Sequence, residues 1–291
     1  MNNPATQRPL WAHNAAKNRY LFRGELHLTH ALHIGSGRGD ETTDALVVVN
    51  DQNNPYIPGS SLRGVLRSHA ERLLAALHLA GSSLWACGLY EPELPPGKIC
   101  VGNLEHPRSK EAYEALGQTE ELYGTEAVWQ ALPDQLCDAC RLFGAGTFWA
   151  SKLRFTDLAL LSGGGFDIRH GVGIHRDTGT AAPAVKYDKQ VVAAGSIFQF
   201  EAIGENLDET DRTIIALSLQ SLLSGDLPLG GSTGRGLGAC QLQAAQVFWV
   251  DMTDRQQLIS YLTASGSTEQ RYPEQQSVSD FVNNGLAALT N

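Results

Sequence analysis

The order in which two hydrophobic periodicities alternate along the chain limits its fold more than any other feature. Helical spacing occurs at 60–80, where Leu62, Val65, Leu66, Leu73 and Leu77 recur behind Ser60 as N-cap. It occurs again at 209–223, where Ile215, Leu219, Leu222 and Leu223 share one side. Runs rich in β-formers occupy 20–34, 152–160, 185–192, 196–203 and 239–249, and a short β-branched run, DALVVVN, lies at 44–50 as an extra strand. With the acidic stretch 81–136 set aside as an insertion and one of the three runs between the helices taken as an addition, the order is strand, helix, strand, strand, helix, strand. This is the split βαβ arrangement, an α+β ferredoxin-like or RRM-like palm (βαββαβ). RNA-recognition domains share that topology with many unrelated proteins, so it assigns no function alone. The predicted organisation is one domain over 1–250, interrupted by the insertion, and a polar, loosely packed extension over 251–291.

Composition narrows the class. Thirty glycines in 291 residues exceed the usual ~7% and argue against an all-helical bundle. No run approaches the ~20 apolar residues of a membrane span, and the first nineteen residues lack the apolar core of a signal peptide, so a cytoplasmic protein with no membrane partner is expected. Five cysteines without an export signal point to metal ligation or reduced thiols rather than disulfides. The net charge of −9 is unfavourable for binding nucleic acid as a whole, but it is unevenly spread. The stretch 81–136 carries nine acidic and three basic residues, 251–291 five and two, and the remainder balances to zero. Within that remainder 141–190 holds seven basic and four acidic residues, enough for a local basic surface.

Three short segments carry chemistry. In PYIPGSSLRGVLR, 55–67, a proline turn delivers Gly59, Ser60 and Ser61 to a helix N-terminus, where free N–H groups and hydroxyls suit a phosphate, and Arg63 and Arg67 share one helix face. Read alone, it is also a capped helix with solvated arginines. In LGGSTGRGLG, 229–238, five glycines and one arginine allow close backbone approach or an anion-binding nest; the alternative is a flexible turn. The third, CDACRLFG at 137–144, contains a CxxC. Cys137 and Cys140, with Cys87 and Cys100 flanking the proline turn of the insertion, make a closed four-thiolate zinc site that staples the insertion. His106 is a substitute ligand, a redox CxxC is the alternative, and Cys240 reads as an inert core thiol.

PGSSLRG, CRLFG and GGSTGRGLG, in this order and with LHIG near the start, resemble the RAMP superfamily, the repeat-associated RNA-binding proteins of CRISPR systems. Within it the chain most resembles the Cas-seven-like backbone subunit of type III effector complexes, and its cysteines resemble the zinc fingers of III-D and III-E backbone proteins. The resemblance implies a palm that polymerises along guide RNA and a β-hairpin thumb that disrupts the guide–target duplex. Guide contacts would fall on Ser60, Ser61, Arg63, Arg67, Gly231, Ser232 and Arg235. The thumb would be 170–190, with Arg176, Lys186 and Lys189 on phosphates. Other CRISPR effector subunits are the implied protein partners.

The resemblance further implies metal-dependent cutting of target RNA by an aspartate in the loop after LHIG. Asp44, immediately before the ALVVV run, takes that place, with Asp40 in reserve; Mg²⁺ or another divalent ion would be the cofactor. Two alternatives stay open, a non-catalytic RNA-binding subunit and a guide-RNA-processing endonuclease using a histidine. Among the candidates His33, His69, His170 and His175, the first two read as structural, and His175 beside Arg176 as an RNA contact.

Overall fold

The computed structural model describes residues 15–40, 43–88, 94–103, 105–123, 128, 132–146 and 149–289. It is an α+β structure with antiparallel sheets. The central strand β1 (Asn18–Leu28) pairs on one side with β6 (Ile197–Glu205) and on the other with β7 (Cys240–Asp251). The short β2 (Leu153–Phe155) and β3 (Leu160–Ser162) both pair β6, and β8 (Glu274–Ser277) pairs β7, giving the order β2-β6-β1-β7-β8. A second sheet is a single hairpin, β4 (Phe166–Ile174) with β5 (Ala181–Val192).

Alternation along β1 explains the layering. Tyr20, Phe22, Leu26 and Leu28 enter the main core together with Phe198, Phe200 and Ala202 of β6. Helix α1 (Gly59–Leu79) closes this face with Leu62, Leu66, Ala70 and Leu74. Also in chain order come α2 (Pro107–Tyr123), α3 (Asp138–Phe143) and α4 (Glu209–Ser224), the last contributing Ile214, Ile215, Leu219 and Leu222. The opposite face of β1 carries Arg19 and Arg23, ion-paired to Glu205 and Glu201.

Helix α4 begins with a capping box between Asp208 and Asp211 and stops at Gly225, whose φ of 79° is the left-handed conformation that ends helices. Its N-terminus is anchored by Lys152, whose fully buried ammonium reaches Asp211 at 2.5 Å and Asp208 at 3.5 Å; Arg141 of α3 reaches Asp208 at 2.8 Å. Burial pushes the Asp211 carboxyl up. Asp208 is desolvated as well, but Lys152, the Asp211 amide and Arg141 hold it below its ordinary value.

Three expectations change. The run 44–50 forms no regular strand: it makes isolated bridges from Ala45 to Lys189, Val47 to Gly35 and Val49 to Pro55, because the preceding loop folds back over it. Ser60 is not the N-cap of α1; Pro58 takes that position without a side-chain cap, and Asp157 accepts the Gly59 N–H at 2.8 Å instead. The chain beyond 251 is not loosely packed throughout. It forms α5 (Arg255–Thr263), α6 (Thr268–Arg271), β8 and α7 (Val278–Ala287); α5 buries no residue, but α7, at the end of the extension, buries Val278, Phe281 and Val282 in the main core.

Candidate nucleic-acid groove and metal centre

The glycine-rich loop before β7 is pinned rather than flexible. Gly231 N–H donates to the His33 carbonyl at 2.8 Å and Gly238 N–H to the Ala31 carbonyl at 2.8 Å. Gly230 and Gly238 have φ of 76° and 84°, and a Cβ on either would strike a backbone oxygen, His33 O at 2.4 Å or Leu229 O at 1.9 Å. The LHIG segment therefore holds this loop from beneath. It also holds β5, since His33 Nδ1 donates to the Gln190 carbonyl at 2.7 Å and Leu32 exchanges backbone bonds with Val192.

The loop faces the hairpin across a groove of about 270 Å³ whose lining includes Arg169, His170, Tyr187, Lys189, Ser232 and Arg235. Lys189 Nζ donates to Ser232 Oγ at 2.8 Å; Arg235 donates to the Tyr187 hydroxyl at 2.5 Å, with its guanidinium 5.8 Å from the ring centroid. Tyr187 lies across Gly171 of β4, where any Cβ would sit 2.1 Å from the ring. Three cations and an aromatic ring in one groove suit a phosphodiester chain carrying bases.

Asp44 reaches the other edge of β5. Its Oδ2 accepts the Asp188 N–H at 2.8 Å, and its own N–H donates to the Asp188 carbonyl at 3.1 Å. Asp44 is exposed, and among the described residues its second carboxylate oxygen has no partner, so it has room for a hard cation. Asp40 instead closes a turn by accepting the Thr43 N–H at 2.7 Å. Across the hairpin, Asp188 Oδ1 holds His170 Nδ1 at 2.6 Å.

The four cysteines converge as their spacing predicts. All their sulfurs lie within 4.8 Å of one another and all four residues are buried. Cys87 and Cys140 sulfurs are 3.7 Å apart; a tetrahedron with Zn–S bonds of ~2.3 Å has sulfurs ~3.8 Å apart. The Cys137 N–H donates to Cys100 Sγ at 3.3 Å and the Cys140 N–H to Cys137 Sγ at 3.4 Å. Gly102 packs so close that a Cβ would sit 2.6 Å from Cys140 Sγ. Burial pushes the Cys137 thiol up, whereas bonds from Cys137, Cys140 and Cys87 hold Cys100 low. A bound cation ionises such thiols outright. The cluster can hold a metal ion such as zinc. His106 is not part of it, and Cys240 is a separate buried thiol pushed up to about 12 by desolvation.

Arg63 and Arg67 of α1 face inward. Arg67 is buried, donating to Glu71 at 2.8 Å, the Gly144 carbonyl at 2.8 Å and Cys140 Sγ at 3.2 Å. Arg63 is half-buried and donates to the Phe143 carbonyl. The two therefore bind the CRLFG segment and brace the sulfur cluster; a guanidinium whose donors are engaged inside the protein offers little to a phosphate. Ser60 is exposed and Ser61 half-buried, and among the described residues no hydrogen bond links the α1 positions to the groove. Arg176 and Lys186 are exposed on the hairpin. Arg169 and Tyr187 were not singled out by the sequence; the readable signal was a glycine and an aromatic residue in facing strands, which becomes specific only once the register is known.

Comparison with known proteins agrees with the motifs. No curated protein matches the chain. The RAMP superfamily model matches residues 25–241, a span that includes the LHIG loop, α1, the sulfur cluster, the hairpin and the glycine-rich loop. With most of its length and all of these features inside the match, the chain belongs to the RAMP superfamily, the CRISPR-associated RNA-binding proteins.

Proposed function

We propose that this protein is a backbone subunit of a type III CRISPR effector complex, of III-D or III-E-like lineage, that binds guide RNA and cuts complementary target RNA. One observation carries the reading: the base of the β4–β5 hairpin is tied to Asp44 at one edge and to the glycine-rich loop across its face. The RNA-binding cations and the candidate carboxylate thus share one element. The strand order β2-β6-β1-β7, with antiparallel neighbours, supports a ferredoxin-like palm, and the projecting hairpin supports a thumb.

In this reading Lys189, Arg235 and Arg169 hold guide phosphates, while Gly231 and Ser232 bring the backbone close to the strand. Ser60 and Ser61 contribute hydroxyls at the start of α1, and Arg176 and Lys186 extend the cationic track along the thumb. Arg63 and Arg67 act indirectly, by locking α1 to the cysteine centre. Contacts to phosphate and 2′-hydroxyl make guide binding tolerant of sequence. Asp44 would hold a divalent ion, Mg²⁺ for example, which stabilises the charge of the pentacoordinate phosphate. Zinc at Cys87, Cys100, Cys137 and Cys140 is structural. Neighbouring effector subunits complete the assembly in the cytoplasm. Among the described residues no helix is long and apolar enough to cross a membrane.

The test has two stages. Protein purified with its neighbouring subunits carries short repeat-derived RNAs; an intact complex without RNA at moderate salt overturns the guide-binding reading. In the loaded complex with Mg²⁺, Asp44→Ala cuts target at least ~100-fold more slowly while target affinity stays within about twofold. Wild-type cutting by that variant would leave a non-catalytic RNA-binding subunit.

A further inference from the structure

We propose that His170 is a catalytic residue for the RNA cleavage assigned above, acting as the base that takes the proton of the attacking 2′-hydroxyl, with Asp188 as its positioning residue. The inference rests on the cleavage reading. It starts from a geometry that an ordinary exposed histidine lacks. His170 and Asp188 are direct cross-strand partners in the hairpin, and the Asp188 carboxylate receives Nδ1 at 2.6 Å. The bond fixes the ring orientation and leaves the Nε2 lone pair pointing outward, the arrangement by which a carboxylate prepares an imidazole to accept a proton. The His170 side chain is 75% exposed, so a substrate can reach it.

The same Asp188 also fixes Asp44. Its main-chain N–H and carbonyl clamp Asp44 from the edge of β5 while its side chain holds His170. One residue therefore sets the spacing between a carboxylate able to hold a cation and an imidazole able to move a proton. Strand alternation turns the Arg169, Tyr187 and Lys189 side chains toward the glycine-rich loop, while His170, which also lines the groove, holds its cross-strand partner Asp188. A strand bound in the cationic groove would therefore pass beside the His170–Asp188–Asp44 group.

The step balances without an external reagent. His170 Nε2 takes the 2′-hydroxyl proton, the 2′-oxygen bonds to the adjacent phosphorus, and the bond from phosphorus to the 5′-oxygen breaks. The leaving 5′-oxygen takes a proton from water, giving a 2′,3′-cyclic phosphate and a 5′-hydroxyl end, and the imidazolium returns its proton to solvent. General-base assistance of this kind is worth ~10²–10⁴-fold in rate.

The experiment uses the assembled, guide-loaded complex with Mg²⁺ and end-labelled complementary RNA, under single-turnover conditions. His170→Gln is expected to slow cutting at least ~100-fold with target affinity unchanged within about twofold. His170→Ala regains rate when free imidazole is added, and Asp188→Asn slows cutting with unchanged affinity. Asp44→Ala gains nothing from imidazole. Product ends carry a 2′,3′-cyclic phosphate. If Asp44→Ala is inactive but His170→Gln cuts at the wild-type rate, or imidazole rescues nothing, His170 has no catalytic role while the cleavage reading stands. If the wild-type complex binds target without cutting it, or Asp44→Ala cuts normally, the cleavage reading falls and takes this inference with it.

Discussion

At the scale of single residues, His33 shows how a motif letter acquires a physical meaning. Its carbonyl receives the glycine-rich loop and its ring holds β5, so LHIG is a joint between that loop and the β4–β5 hairpin. Burial, and then the charge of Lys189, hold its ring below the ordinary 6.5, against the opposing pull of the Gln190 carbonyl. Burial and Arg72 do the same to His69. A histidine with a depressed folded value contributes stability that is complete above the unfolded value and lost as pH falls through the folded one. The melting temperature should therefore decline as pH drops below about 6.5. His33→Asn, which keeps a donor for Gln190 but cannot protonate, should flatten part of that decline; an unchanged slope would assign it elsewhere.

At the scale of elements, the cysteine centre explains how an acidic insertion shares a core with α1. Cys87 and Cys100 come from the insertion, Cys137 and Cys140 from the start of α3, and Arg67 joins the cluster to α1. Trp85, Val101 and Leu116 enter the same buried cluster as Leu62 and Leu66. Gly102→Ala tests this joint with little chemical change. The added methyl meets a sulfur at 2.6 Å and the Ala145 methyl at 3.1 Å. Forcing it in should cost ~1–3 kcal/mol and displace Cys140. Metal analysis should show less than one zinc per chain, with a lower melting temperature. Full zinc content and unaltered melting would mean that Gly102 is not part of the site's support.

At the scale of the whole molecule, the chain beyond β7 completes the core. Phe281 of α7 meets Phe22 of β1 edge-on, with centroids 5.3 Å apart and planes at 81°. Strand β8 covers the β7 edge over 246–249. Phe281→Ala should cost ~3–5 kcal/mol, measured by urea unfolding, because the cavity opens under the central strand. A loss well below 1 kcal/mol would return the extension to the status of a loosely attached tail.

The sequence by itself determined the α+β class, helices α1 and α4 to within a residue or two, the four cysteines that cluster and the motifs that mark the family, but not the 17-residue α2 inside the insertion. These are legible because periodicity, capping and short spacings are local, and α4 with its Asp208 cap and Gly225 stop carries every such signal. Only the tertiary structure decided which charges are available. Arg67 and Arg235 look alike as letters, yet one is enclosed by Gly144, Glu71 and Cys140 and the other lines an open groove. It also decided that DALVVVN would forgo a regular strand so that Asp44 could bond Asp188, 144 positions away. Exposure and long-range pairing depend on which surfaces meet once the sheet has closed, and no local pattern encodes that.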